Sequence, residues 1–132
     1  MLRVSASLPT GERIAALLAA DLEAAGERAL LARDARALRA QLLVVPHHGS
    51  RTSSVEPFVD AVAPLVAIFQ VGYRNRFGHP HPSVYERYAA RDIVLARTDH
   101  DGAVRVDLRD GALTVERYRD TQRRYWMVAS EE

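Results

Sequence analysis

Three apolar runs, at residues 14–20, 42–45 and 65–71, constrain this chain more than any other feature. Each is too apolar to alternate, which is the pattern of a strand buried on both faces. They stop at Asp21, Pro46 and Gly72 respectively. Residues 22–32, between the first two runs, are rich in Ala, Leu and Glu and read as a helix. Strand and helix thus alternate through the first two thirds, which predicts an α/β layer with a more antiparallel end.

The remaining elements follow from local chemistry. Leu2, Val4 and Ala6 alternate with Arg3, Ser5 and Ser7, so residues 2–7 read as a half-buried strand. The turn Leu8-Pro9-Thr10-Gly11 pairs it back onto 13–20 as a hairpin. In the helix over 22–32 the apolar stripe is Leu22, Ala25, Ala29 and Leu30. Residues 35–40 add more helix, and 41–45 form a strand stopped by Pro46. Ser53-Ser54-Val55-Glu56 reads as a capping box opening a helix through Val62. Residues 65–71 are a strand, 72–82 a loop stiffened by Pro80 and Pro82, 83–91 a helix and 93–96 a strand. After a turn at 99–102, residues 104–108 and 112–118 form a hairpin across Arg109-Asp110-Gly111. A charged tail, 119–132, follows, with Tyr125 and Trp126 available to dock it.

Composition narrows the functional classes. At 132 residues the chain suits one domain, and a net charge of +1 gives no overall field to attract a polyanion. All 18 basic residues are Arg, so a single Arg reads first as solvated charge. No stretch reaches the roughly 18 continuous apolar residues of a membrane span, and the first ten residues lack signal-peptide organisation. With no cysteine, any metal site must use His, Asp, Glu or backbone oxygen.

Polar residues cluster just past the strands, where open α/β sheets place their sites. Asp21 has two readings: a carboxylate that bridges cations, or an N-cap for the helix that follows. His47 and His48 put imidazoles at a strand end, either as a metal or phosphate site or as a polar loop satisfied by backbone. Adjacent residues point apart in an extended or turn conformation, so one of the two is expected to bind directly and the other to orient it or touch substrate. Ser50, Arg51, Thr52, Ser53 and Ser54 precede a helix and read as an anion site or as simple capping. Arg74, Asn75, Arg76, His79 and His81 share one Gly/Pro loop, in which Tyr73 and Phe77 are able to stack on a base; the plainer reading is a rigid surface loop. His100 reads as part of a turn.

These residues carry a resemblance. Residues 42–54, with Pro46-His47-His48-Gly49-Ser50 at their centre, together with 71–82 and Arg97-Thr98-Asp99, resemble the metallo-β-lactamase-like domain of the DNA-internalisation competence proteins, the ComEC family. The stretch 16–28 resembles that family's strand, acidic turn and Glu-Ala-rich helix, and the match covers about residues 2–108. The resemblance implies an αββα sandwich whose rim holds one or two divalent metals, Mn or Zn, and cleaves phosphodiester bonds in DNA. It implies a parent protein of the bacterial inner membrane with a channel for single-stranded DNA, this piece being soluble. Carried over by position, Asp21 resembles the bridging Asp and His48 the late His ligand, with His47 beside it as a further contact or the alternative ligand. Ser50, Asn75 and His79 would line the substrate, His79 as a proton donor to the leaving oxygen. Arg51, Arg74 and Arg76 would meet DNA phosphates.

The chain departs from that pattern in two ways. Ala20 stands where the family has Gly, which is expected to strain the turn presenting Asp21. The superfamily's main metal motif, His-x-His-x-Asp-His, is absent. The chain therefore reads as the C-terminal half only of the sandwich: a partial domain over 1–118 and the tail over 119–132. Two protein ligands fall short of the three a catalytic divalent site uses, so metal binding is expected to be weak or absent and turnover slight. Half a sandwich also leaves an apolar sheet face open, which predicts a homodimer through that face, a sticky surface or poor stability. The partners implied are DNA, single-stranded or incoming duplex, and the missing N-terminal half. The competing readings are a non-catalytic single-stranded DNA-binding module and an inert remnant.

Overall fold

The structure, a computed structural model, describes residues 1–109 and 112–122. Strands β1 (Leu2–Ser7) and β2 (Arg13–Leu18) form the expected antiparallel hairpin. Then come helix α1 (Ala24–Asp34), a single tight helical turn at Arg36–Leu38, strand β3 (Leu42–Val44) and helix α2 (Glu56–Val62). Strand β4 (Val66–Phe69), helix α3 (Pro82–Ala89), strand β5 (Val94–Arg97) and the helical turn α4 (Thr98–Asp101) follow. Strands β6 (Val104–Arg109) and β7 (Ala112–Arg117) close a second hairpin, and α5 (Tyr118–Thr121) ends the described chain. The turn at Asp110-Gly111 and the residues Tyr125 and Trp126 lie outside the described residues. Among those described, no helix is long and apolar enough to cross a membrane.

The first five strands make one sheet in the order β1-β2-β3-β4-β5, with β2 to β5 parallel. The register aligns Leu17, Leu43, Ala67 and Leu95 across the sheet. Because side chains alternate along a strand, Ala15, Leu17, Leu43, Ala67 and Phe69 share one face. That face packs on Leu38, Phe58, Val59, Val62, Val84 and Tyr88 from the helical side. Full burial of each large apolar side chain contributes about 1.5–3 kcal/mol, so this layer dominates the stability of the chain.

Among the described residues, the second face is covered at one end only. There Val66, Ile68 and Ala96 pack against Val104, Val106, Leu113 and Val115 of the β6–β7 hairpin. The pairing of Leu2 with Leu18 and Val4 with Ala16 puts these residues on the same face, beyond the hairpin's reach. Leu2 is 60%, Val4 51% and Leu18 37% exposed. The half-buried β1 and doubly buried β2 expected from the sequence are therefore corrected: β1 is exposed throughout, and β2 is buried on its helical face alone.

Two helix starts differ from expectation. The residue capping α1 is Glu23, not Asp21, and it makes no side-chain cap bond. Ala25 and Ala29 face solvent, while Leu22, Leu30 and Leu31 pack inward. Helix α2 has no capping box either: Ser53 Oγ donates to the Pro46 and Ser50 carbonyls instead. The N–H groups of the two residues just before it are met from another element. The fully buried Glu27 on α1 accepts from the Ser54 N–H at 2.6 Å and the Val55 N–H at 2.8 Å. Arg87 donates to the Ser54 carbonyl and the Tyr88 hydroxyl to Ser54 Oγ, closing the network. Burial raises the Glu27 pKa, opposed by those two N–H bonds and by the Arg87 charge. Glu27→Ala orphans two buried N–H groups and is expected to lower stability by about 2–3 kcal/mol in urea unfolding, with Glu27→Gln losing less.

Candidate functional site

The site is built on a turn that the backbone resists. After β3, His47, His48 and Gly49 have φ of 47°, 57° and 79°, three left-handed residues in succession. For a residue with a Cβ this region costs about 1–2 kcal/mol. Neighbouring backbone holds the turn in place. The His47 N–H donates to the Ala20 carbonyl at 2.8 Å, the Ser50 N–H to the His47 carbonyl at 2.9 Å, and the His81 N–H to the Gly49 carbonyl at 2.9 Å. Gly49 has no alternative, since a Cβ there would lie 2.7 Å from Pro80 Cβ and 2.9 Å from a Phe69 ring carbon. Ala20 is also left-handed, with φ of 53°, so the strain expected where a Gly is replaced is present.

This turn aims both imidazoles at the C-terminal edge of the parallel strands. The expectation that the two point apart is corrected: their ring centroids are 6.3 Å apart, and that of His79 lies 6.2 Å from His47 and 6.5 Å from His48. His48 Nδ1 is 2.7 Å from the Gln70 carbonyl oxygen. A carbonyl only accepts, so Nδ1 carries a proton, and in the neutral ring Nε2 is then the lone-pair nitrogen. Nε2 lies 3.7 Å from Asp21 Oδ1, beyond hydrogen-bond distance. His47 Nδ1 is 3.2 Å from Glu23 Oε1 but off the hydrogen-bonding direction, and it is buried without a hydrogen bond. Glu23 is held in turn by Thr52 Oγ1 at 3.1 Å.

The loop after β4 brings His79 to the same edge. Asn75 clips it by both ends of its amide, Nδ2 donating to the His79 carbonyl at 2.8 Å and Oδ1 accepting from the His79 N–H at 2.9 Å. Thr98 anchors the base of that loop, its hydroxyl accepting from the Val71 N–H and donating to the Val71 carbonyl. Asp21, His47, His48 and His79 are thus brought together, but Ser50 is not. It is buried, with its hydroxyl 3.1 Å from Thr52 Oγ1. Arg51 is exposed on the same turn, while Arg74 and Arg76 lie over Tyr73 and Phe77. Asp99 sits apart in an ion pair with Arg97 at 2.7 Å, and His100 is 3.7 Å from Asp99. Among the described residues no three His, Asp or Glu side chains converge at the spacing of one metal ion.

Sequence reasoning missed Glu23, the Gln70 carbonyl and the anchoring hydroxyl of Thr98. Glu23 left a signal, standing two residues past Asp21 on the same strand-end loop. The Gln70 carbonyl left none, because every residue has one.

Burial, then the nearby His47, His48 and His81, lower the His79 pKa. The folded value lies below the unfolded one of about 6.5. Stability is therefore full above that pH and is lost as pH falls through the lowered value, because the unfolded chain takes the proton more readily. Urea unfolding between pH 7.5 and 5 is expected to show this decline, and His79→Gln to flatten part of it.

The fold and edge define a class: an α/β protein with a carboxylate–imidazole cluster at the C-terminal ends of parallel strands. Comparisons with known proteins narrow it. No family model and no solved structure matches the chain. It is 39% identical over 112 residues to Competence protein ComA of Neisseria gonorrhoeae, covering 85% of this chain and 16% of that protein. It is 35% identical over 88 residues to ComE operon protein 3 of Bacillus subtilis (67% of this chain, 11% of that one). It is 36% identical over 104 residues to Recombination protein 2 of Haemophilus influenzae (78% and 13%). The chain is related to competence proteins, and it spans only 11–16% of the length of these relatives.

Proposed function

We propose that this edge is part of a metal-dependent phosphodiesterase site acting on DNA, within a protein of DNA uptake. The observation that carries the reading is the Asp21–His48 pair, Oδ1 and Nε2 3.7 Å apart with the other ring nitrogen held by the Gln70 carbonyl. With the ring neutral this pair makes no hydrogen bond and is open to share a cation. An imidazole whose other nitrogen donates to a backbone carbonyl has the orientation and tautomer of a metal ligand. Nitrogen and oxygen donors suit Mn or Zn. Asp21 and His48 would hold the metal, with His47 and Glu23 flanking them. When bound, the metal would supply an activated water and offset phosphate charge.

The other residues act around that pair. His79 stands beside the pair, its pKa lowered by burial, where it would contact substrate. Asn75 acts through His79 as a positioning residue, and Ser50 braces the turn with Thr52. Arg51, Arg74 and Arg76 would meet backbone phosphates. Helices, sheet and hairpin in three layers support half of a metallo-β-lactamase-like αββα sandwich. The open apolar face at β1–β2 would then receive the other half, which would bring the remaining ligands, or a second copy in its absence. The parent would sit in the inner membrane. Alone, this chain would turn over slowly. The second reading, a module that grips single-stranded DNA without cutting it, is favoured by the exposed Arg and aromatic side chains of the loop after β4.

Mn²⁺ titration followed by electron paramagnetic resonance tests the reading. The 132-residue chain should bind Mn²⁺ weakly. Asp21→Asn and His48→Ala should each weaken binding about tenfold or more, and His47→Ala less. Any Mn²⁺-dependent cleavage of DNA should fall with the same two variants. Binding and cleavage indifferent to both would refute the assignment.

A further inference from the structure

Beside the Asp21–His48 pair lies a groove of about 260 Å³ lined by His48, Gln70, Gly72, Asn75, Phe77 and His79. It is small against the roughly 300–1,000 Å³ of sites for drug-sized ligands. The loop that walls it, residues 72–82, carries two Arg, two His and no acidic residue. Two large aromatic side chains stand out from this loop, Phe77 70% and Tyr73 62% exposed. Neither helps the core. Each is matched with guanidinium groups: Arg76 5.4 Å from the Phe77 ring centre, and Arg74 and Arg119 5.2 and 5.6 Å from that of Tyr73.

Ring orientation ties this platform to the cluster. Phe77 and His79 are within 21° of parallel with centroids 6.1 Å apart, and His79 and His48 are within 22° at 6.5 Å. A flat group laid on Phe77 therefore shares the orientation of the rings that lead to Asp21. Exposed aromatics among cationic side chains are the physical means of holding an unpaired base, whose π-face is hidden in a duplex.

We propose that this groove takes one unpaired nucleotide of single-stranded DNA, its base stacked on Phe77 and its phosphates met by Arg74 and Arg76. The proposal rests on reading the edge as a DNA site, and it adds which form of DNA is admitted and which residue selects it. Phe77 is here a specificity residue, outside the metal-holding pair.

Fluorescence anisotropy in EDTA and low salt tests it on the 132-residue chain, with a labelled oligodeoxythymidylate and a hairpin duplex of equal length. Single strand should bind more tightly than duplex. Phe77→Ala should weaken single-strand binding about tenfold and leave duplex binding unchanged, and Phe77→Trp should restore it. Circular dichroism should be unaltered, since Phe77 is exposed. No single-strand binding by the wild type, no effect of Phe77→Ala, or an equal loss on both DNAs overturns the proposal. Without metal the assay does not depend on hydrolysis. A Phe77 effect alongside Mn²⁺ binding indifferent to Asp21 and His48 would leave the groove standing and remove the hydrolase reading. The reverse pattern would remove only the groove.

Discussion

A left-handed turn at the end of a parallel strand is the constraint on which the site depends. His47 and His48 adopt a backbone that L-residues disfavour, and they remain there because three neighbours bind the turn. Ala20 receives one N–H from it, Gly49 offers a carbonyl to His81, and Ser53 returns a hydroxyl to Pro46. Relaxing the turn into an extended form would send one imidazole away from the edge. Strain held by surrounding structure in this way is concentrated at functional sites.

The fold exists to hold that edge, and it does so unevenly. One face of the sheet is sealed by three helices, with a buried carboxylate, Glu27, serving the N-terminus of α2 in place of a local cap. Among the described residues, the other face is sealed only where the β6–β7 hairpin lies across β4 and β5. Leu2, Val4 and Leu18 are left in water. Exposed apolar area of this kind is costly to keep open.

Much of this was legible in the sequence. The apolar runs announced the strands, and polar residues at their ends announced the edge. The hairpins and the strand–helix alternation follow the turn and periodicity signals closely. What was not legible has physical causes. Local patterns do not report which faces are covered, so β2 looked doubly buried although Leu18 is exposed and Ile14 and Ala16 are only half-buried on its outer side. A capping box was read at Ser53, yet the helix start is served by Glu27, 27 residues from Ser54 in sequence. Likewise the direction of His47 and His48 depends on φ signs that no side-chain identity announces, and the proton on His48 is set by a backbone carbonyl.

That proton is the most direct point of measurement. Long-range ¹H–¹⁵N correlation spectra of the histidine side chains, at pH 7.5 and without metal, report which ring nitrogen is protonated. The Gln70 bond requires a proton on Nδ1, so the neutral ring is the Nδ1–H tautomer, with Nε2 on the side of Asp21. Substituting Asp21→Asn should leave that tautomer unchanged, because the carbonyl, not the carboxylate, selects it. A His48 protonated on Nε2, donating to Asp21, would contradict the account, for the two groups would then be a satisfied hydrogen-bonded pair with no vacancy for a cation.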